Sequence, residues 1–287
     1  MVLREHATRI LPDVDPDRFA ASCPTRRFGR ALHWYPVTDS TNDRAIAAIR
    51  AGTVATGDVF VAERQTRGRG TGERSWYSNH GEGLWYSLVV HEPVAVAPLS
   101  FLPGIALVDV LRRDYGVDAH LKWPNDVLVD DRKIAGFLVE SQQAQDGRLA
   151  WVVGCGIDVN QRDFEPQIRD IAVSLLLCTG RAHAIDELLR RHLVAMERLY
   201  DSGVDLVAAW PSRARMIGRW MSARVRDRES HVYVHGLTPE GHLRVEHEDG
   251  RRETWVSHTD LSLRFAQRFE PDYGIGGVDS GQLGPAR

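Results

Sequence analysis

VDAHLKWPNDVLVDDRKIAGFLVESQQAQDGRLAWVVGCGI, residues 117–157, is the stretch that decides the fold. Four strand-like runs follow one another in it, at 117–121, 127–129, 133–140 and 149–157. The breaks at Asp130-Asp131 and Asp146-Gly147 suit tight reversals. Consecutive strands joined by short turns predict an antiparallel meander without βαβ units. A largely antiparallel, mixed sheet with packed helices is therefore expected: an α+β fold.

The same stretch carries chemistry. Trp123-Pro124 fixes an extended or turned backbone at a strand end. Asn125-Asp126 sits where the chain reverses, and Lys122 and Lys133 lie on adjacent strands. Surface charges on a hairpin would account for this pattern, but a lysine set among Trp, Pro, Ile and Gly is an unusual surface residue. Two ammonium groups and a carboxylate suit a reaction on a nucleotide triphosphate, with Asp126 a candidate oxygen ligand for Mg²⁺. Further on, Gly154-Cys155-Gly156 puts alternate glycines in a strand. Such glycines weaken a strand and are expected at a bulge, at close packing, or where a ligand lies flat on the backbone. Cys155 reads as a small buried hydrophobe.

Upstream, Gln65-Thr66-Arg67-Gly68-Arg69-Gly70-Thr71-Gly72-Glu73-Arg74-Ser75-Trp76 follows a β-like run at 59–62. Glycine lets backbone N–H groups approach an anion, and Arg offers a planar fork of donors. The composition equally serves a solvated loop, so alone it is only a hint of a phosphate site. Ser40-Thr41-Asn42 opens a helix with Ala45, Ile46 and Ile49 inward and Gly52 at its end. Ser40 or Thr41 is expected to cap it, with Asp43 near the capping-box position. The alternative use is a polar cluster facing a ligand. A helix at 99–115 should start or kink at Pro103, and one at 186–200 carries His192 on an apolar face, as a core histidine. Before these, Arg26, Arg27 and Arg30 read as a solvated face. After Pro211, short β runs and turns predict a small barrel. His231 and His235 share a strand face about 13 Å apart, too far to bind one metal together. The glycine-rich tail reads as disordered.

With 287 residues and a net charge of -3, the chain has no bias toward nucleic acid or anionic membrane. Three cysteines without a C-x-x-C argue for a reducing, cytoplasmic setting. No apolar run is long enough to span a bilayer.

Taken in order, Ser40-Thr41-Asn42, the Gln65–Trp76 loop, Lys122-Trp123-Pro124-Asn125-Asp126, Asp131-Arg132-Lys133 with Gly136, and Gly154-x-Gly156-Ile157-x-Val159-Asn160 resemble the motifs of biotin protein ligases. The resemblance covers about residues 32–265. It implies the biotin/lipoate ligase catalytic fold over 31–212, after an N-terminal segment at 1–30. An SH3-like C-terminal domain over 213–266 and a disordered tail at 267–287 would follow. It implies biotin and ATP as substrates, Mg²⁺, and a biotin carboxyl carrier protein as partner. Arg69, Lys122 and Lys133 would be catalytic. Ser40, Thr41, Asn42, Gln65, Arg69, Gly70, Thr71, Lys133, Gly136, Gly154 and Gly156 would bind biotin. Gly68, Arg69, Arg74, Trp76, Lys122, Asn125 and Asp158 would bind nucleotide, and Asp126 the metal. The glycine loop would be mobile when free and close over the adenylate.

Some positions depart from the pattern. Thr71 stands where many relatives have Arg, and Glu73 lies beside the reactive anion, which implies a looser hold on the adenylate. Asp158 replaces the usual Asn, and Ser257-His258-Thr259-Asp260 replaces a Gly-Glu sequence. Two other readings share the resemblance: a lipoate or octanoate ligase or transferase, and a non-catalytic biotin sensor. The small C-terminal domain favours biotin over lipoate, and retention of Arg69, Lys122 and Lys133 argues against a dead enzyme. No direct DNA binding or membrane partner is expected, and edge strands are compatible with a homodimer.

Overall fold

A computed structural model describes residues 16–72, 74–78, 81–91, 96–225, 228–256 and 261–265. The expectations for the first fifteen residues, for Glu73, for Ser257–Asp260 and for the tail lie outside these. In chain order the elements begin with α1 (Pro16–Ser22), β1 (Leu32–Thr38), α2 (Thr41–Ala51), β2 (Val59–Gln65), β3 (Gly83–Val90) and α3 (Val96–Tyr115). The meander follows as β4 (His120–Lys122), β5 (Asp126–Val129), β6 (Arg132–Gln143) and β7 (Leu149–Asp158). Then come α4 (Leu175–Thr179), α5 (Ile185–Ser202), α6 (Leu206–Ala209) and a single 3₁₀ turn, Pro211–Arg213. The last strands are β8 (Trp220–Val225), β9 (Arg228–Leu237), β10 (Leu243–His247), β11 (Arg252–Trp255) and β12 (Leu261–Phe265).

Seven strands form one sheet in the order β1-β2-β3-β7-β6-β5-β4. The expected α+β class and the antiparallel meander are both present. Sequence reading missed the edge: β1 and β2 pair parallel across α2, which is a βαβ unit. The local turn signals of the meander carry no information about a crossover pair. The turn between β5 and β6 has Asp130 and Asp131 at φ 48° and 60°. Two successive left-handed residues make the two-residue hairpin turn that matches strand twist, and Asp tolerates that conformation.

Alternation gives this sheet two different faces. Val153, Cys155 and Ile157 of β7, with Tyr86 and Leu88 of β3, point into the main core together with α3 and α5. α5 contributes Ile185, Leu188, Leu189, Leu193 and Met196, all buried. Each such side chain contributes up to about 1.5–3 kcal/mol by leaving water. His192 sits on this stripe as expected: Nε2 donates to the Pro103 carbonyl and Nδ1 accepts from the Tyr86 hydroxyl, both at 2.8 Å. Burial pushes its pKa down to about 4, so it is neutral. α3 runs through Pro103 instead of beginning there, its buried apolar residues on the core outweighing the lost N–H.

Arg26 and Arg27 are not merely solvated: both guanidinium groups bond Asp201. The backbone N–H groups of Arg26, Arg27 and Phe28 converge on the Glu197 carboxylate, tying this segment to α5. Where a small barrel is expected, the described C-terminal residues form a five-stranded antiparallel sheet, β11-β10-β9-β8-β12. The Trp123 indole donates to the Gly241 carbonyl at 3.0 Å, joining that sheet to the end of β4. No helix among the described residues is long and apolar enough to cross a membrane.

Candidate functional site

On the other face of the large sheet lies a cleft bounded by the N-terminus of α2, the glycine loop and strands β6 and β7. Every residue expected to bind biotin lines it: Ser40, Thr41, Asn42, Gln65, Arg69, Gly70, Thr71, Lys133, Gly136, Gly154 and Gly156. Of the nucleotide set, Arg69, Trp76 and Asn125 also line it.

Gly136 and Gly156 are cross-strand partners on β6 and β7, which leaves a patch of bare backbone. The Trp76 indole lies over that patch. A Cβ added at Gly156 would come 2.5 Å from Trp76 Cε2, and one at Gly136 2.9 Å from its Cζ3. At Gly154, a Cβ would overlap the Asn42 side chain. The Trp76 and Trp85 indole N–H groups are buried without a partner in the free protein.

Gln65 organises the start of α2. Its Oε1 accepts from Thr41 N at 2.8 Å, and its Nε2 donates to Ser78 Oγ at 2.9 Å. Ser40 occupies the N-cap position but makes no side-chain cap bond. The expected cap is thus supplied from β2, a neighbour in space and not in sequence. Ser87, buried beneath, reaches Thr41 Oγ1 at 2.8 Å and donates to Asn42 Oδ1 at 2.5 Å. Asn42 Nδ2 donates to Glu140 at 2.7 Å. Asp43 is an ion-pair partner of Arg69 at 3.0 Å rather than a capping-box acceptor.

The glycine loop is a small hairpin. Gly70 N donates to the Arg74 carbonyl at 2.7 Å and Trp76 N to the Gly68 carbonyl at 2.8 Å. Gly68 cannot carry a side chain, since a Cβ would lie 2.5 Å from the Trp76 carbonyl oxygen. Arg74 and Gly68 therefore shape the loop without lining the cleft. Thr71 Oγ1 accepts from Asn125 Nδ2 at 3.2 Å, linking the loop to the β4–β5 reversal.

Beside the bare patch stand the lysines. Lys133 Nζ lies 5.0 Å from the Trp76 ring centre and 2.7 Å from Asp126 Oδ1. Lys122 Nζ takes the other oxygen, Asp126 Oδ2, at 3.1 Å. Burial alone would raise the Asp126 carboxyl, but the charges of Lys133 and then Lys122 hold it down at about 2. The Lys133 backbone is fixed as well, bonding the Ile171 carbonyl at 2.7 Å and Val173 N at 2.9 Å.

This geometry bears on the expected metal. Both Asp126 oxygens already face ammonium groups, and no three His, Cys, Asp or Glu side chains converge among the described residues. Asp126 is here the counter-ion of the two lysines, and as a lone carboxylate it would hold Mg²⁺ only together with phosphate oxygens of a nucleotide. Asp158 also lies away from the cleft lining. It is buried at the end of β7, accepting from Gln161 Nε2 at 2.9 Å. Burial raises its pKa well above the carboxylate range, with Lys133 opposing.

Sequence reading did not single out Glu140 and Ser87, and gave Asp43 only the capping-box position. Glu140 is two residues beyond Leu138 on the cleft face of β6, a spacing legible only once the register is known.

The glycine loop, β6 and β7 fall inside residues 34–160, which match the model of the biotin/lipoate A/B protein ligase family. The chain is 31% identical to the biotin–[acetyl-CoA-carboxylase] ligase of Paracoccus denitrificans, over 75% of this chain and 94% of that one. It is also 31% identical to the bifunctional ligase/repressor BirA of Escherichia coli K12, over 84% and 76%. The biotin protein ligase of Aquifex aeolicus, solved in complex with biotin and ATP, superposes with a TM-score of 0.70. It is 27% identical, with 82% of this chain and 99% of that one covered.

Proposed function

This chain belongs to the biotin protein ligases, and from that premise we propose the reaction its cleft performs. Biotin and ATP give biotinyl-5′-adenylate and pyrophosphate, and a lysine of a biotin carboxyl carrier protein then takes the biotin. The carrier is a subunit or domain of a carboxylase. Residues 31–212 form the catalytic part and 213–266 the C-terminal one. The buried or half-buried cysteines, none of them in a disulfide, suit the cytoplasm.

In the first step a biotin carboxylate oxygen bonds to the α-phosphorus while the bond to the β-phosphate oxygen breaks. Two anions about 4 Å apart repel by roughly 4 kcal/mol at an effective dielectric of 20. Lys133 and Arg69, with the glycine-loop N–H groups, offset that repulsion and stabilise the charge that develops. Lys122 and Asp126 keep Lys133 aimed at the bare patch. Asn125, beside the loop, orients the nucleotide. Trp76 moves from over Gly136 and Gly156 to become a wall of the site, and the biotin rings take the patch it vacates. In the second step the carrier amine attacks the acyl carbon, AMP leaves, and the amine loses a proton. No protein nucleophile is needed. Nucleotide-borne Mg²⁺ would neutralise phosphate charge.

The observation that carries this reading is the meeting of Lys133, Arg69 and the paired glycines in one cleft. Incubation with biotin, ATP, Mg²⁺ and a carrier domain should add one biotin mass to the carrier. Lys133→Ala should abolish the addition, with an unchanged far-ultraviolet circular dichroism spectrum showing that the variant stays folded. Transfer of lipoate or octanoate in place of biotin would overturn the reading.

A further inference from the structure

Arg69 is the cation expected to meet the substrate carboxylate, yet in the free protein its donors are committed elsewhere. Its Nη1/Nη2 edge forks onto Glu140, at 2.9 Å to Oε1 and 2.5 Å to Oε2. Its Nη2 also meets Asp43 Oδ1 at 3.0 Å. The Nη1/Nη2 fork is therefore not open for two-point binding of an incoming anion. Formal charge points the same way. Arg69, Glu140 and Asp43 sum to -1 at this wall of the cleft, so an arriving carboxylate meets net repulsion unless Arg69 changes partner. Glu140 is only a quarter exposed, and Asn42 Nδ2 holds its Oε2 at 2.7 Å, so the carboxylate is oriented toward Arg69.

We propose that Glu140 is a specificity-determining residue: it occupies the guanidinium fork of Arg69 as an internal surrogate for the substrate carboxylate, and so sets the affinity for biotin. A ligand must carry its own anion to take the fork over. A carboxylate-free analogue has nothing to exchange and leaves the Arg69–Glu140 pair in place. Asp43 contributes in the same sense but less, because it makes one contact and Glu140 makes two. This inference rests on the biotin-ligase reading of the cleft.

The test compares biotin with biotinamide by titration calorimetry in the absence of ATP, on the wild-type chain, Glu140→Gln, Asp43→Asn, Arg69→Ala and the Glu140→Gln/Arg69→Ala double variant. Gln keeps an acceptor for Asn42 and removes the charge that holds Arg69. Glu140→Gln should tighten biotin about three- to tenfold, the range expected when a partly exposed ion pair stops competing. Biotinamide affinity should not move, and the gain should vanish when Arg69 is Ala. Asp43→Asn should shift biotin in the same direction by less. Unchanged or weaker biotin binding by Glu140→Gln, with the wild type binding normally, would overturn the inference alone. So would an equal gain for biotinamide, because a merely structural role would treat both ligands alike. A wild-type chain that binds neither ligand would overturn the functional reading and this inference with it.

Discussion

The two faces of the seven-stranded sheet are built from the same strands to opposite ends. On β7, Val153, Cys155 and Ile157 enter the core, while Gly154 and Gly156 between them present bare backbone to the cleft. On the core face the Tyr86 hydroxyl and both His192 nitrogens are bonded, although the Trp151 indole N–H is not. The cleft face keeps polar groups in reserve, with the Trp76 and Trp85 indole N–H groups unpaired and Arg69 held by a carboxylate it can exchange. One face packs against α3 and α5, and the other carries the cleft beside α2. Volume and polar satisfaction on the core face should govern stability, and the same properties on the cleft face should govern affinity.

The largest effect should come from filling the cleft. Gly156→Val places methyl groups where the Trp76 ring now lies, and biotin affinity should fall by about 100-fold or more. Unfolding by urea should change little, because the Trp76 ring that the new side chain meets is only partly buried and can swing aside; a parallel collapse of stability would erase the distinction between the faces. A smaller effect, of the opposite kind, is expected at Tyr86→Phe. It strands His192 Nδ1 in the core and should cost about 1–3 kcal/mol of stability, with the KM for biotin unchanged. A KM that moves with the stability would show the two faces to be coupled.

The smallest effect concerns Asp158, at the end of the strand both faces share. Its folded pKa is raised by burial, so the stability it permits is fully present below its unfolded pKa near 4 and is lost as pH rises toward the folded value. Asp158→Asn removes the titration. Its melting temperature should exceed that of the wild type at pH 8, and the gap should narrow toward pH 5. A gap that does not vary with pH would mean that Asp158 ionises as freely folded as unfolded.

How much of this was legible beforehand differs by region for physical reasons. The meander could be read because its turns are local: Asp130-Asp131 and Asp146-Gly147 name their own reversals. Lys133, Gly136, Gly154 and Gly156 stood out because each is an unusual choice within a strand. The parallel β1–β2 pair was missed, since the crossover through α2 leaves no turn signal. The same limit hid Glu140 and Ser87, which matter through cross-strand register and through the way α2 lies on the sheet. Sequence proximity points to Ser40 or Thr41 as the cap of α2, whereas the acceptor comes from Gln65 on β2.

Trp123 gives the smaller sheet a job in the chemistry of the larger. Its indole hangs on the Gly241 carbonyl and its backbone N–H on the Met216 sulfur, with Lys122 immediately before it and Asn125 and Asp126 just after. A chain shortened at residue 212 would lose both anchor points while retaining every residue of the cleft lining. The C-terminal sheet is thus a buttress, and pushing on it would displace Lys122, the neighbour of Trp123, before the glycine-loop side of the pocket had changed.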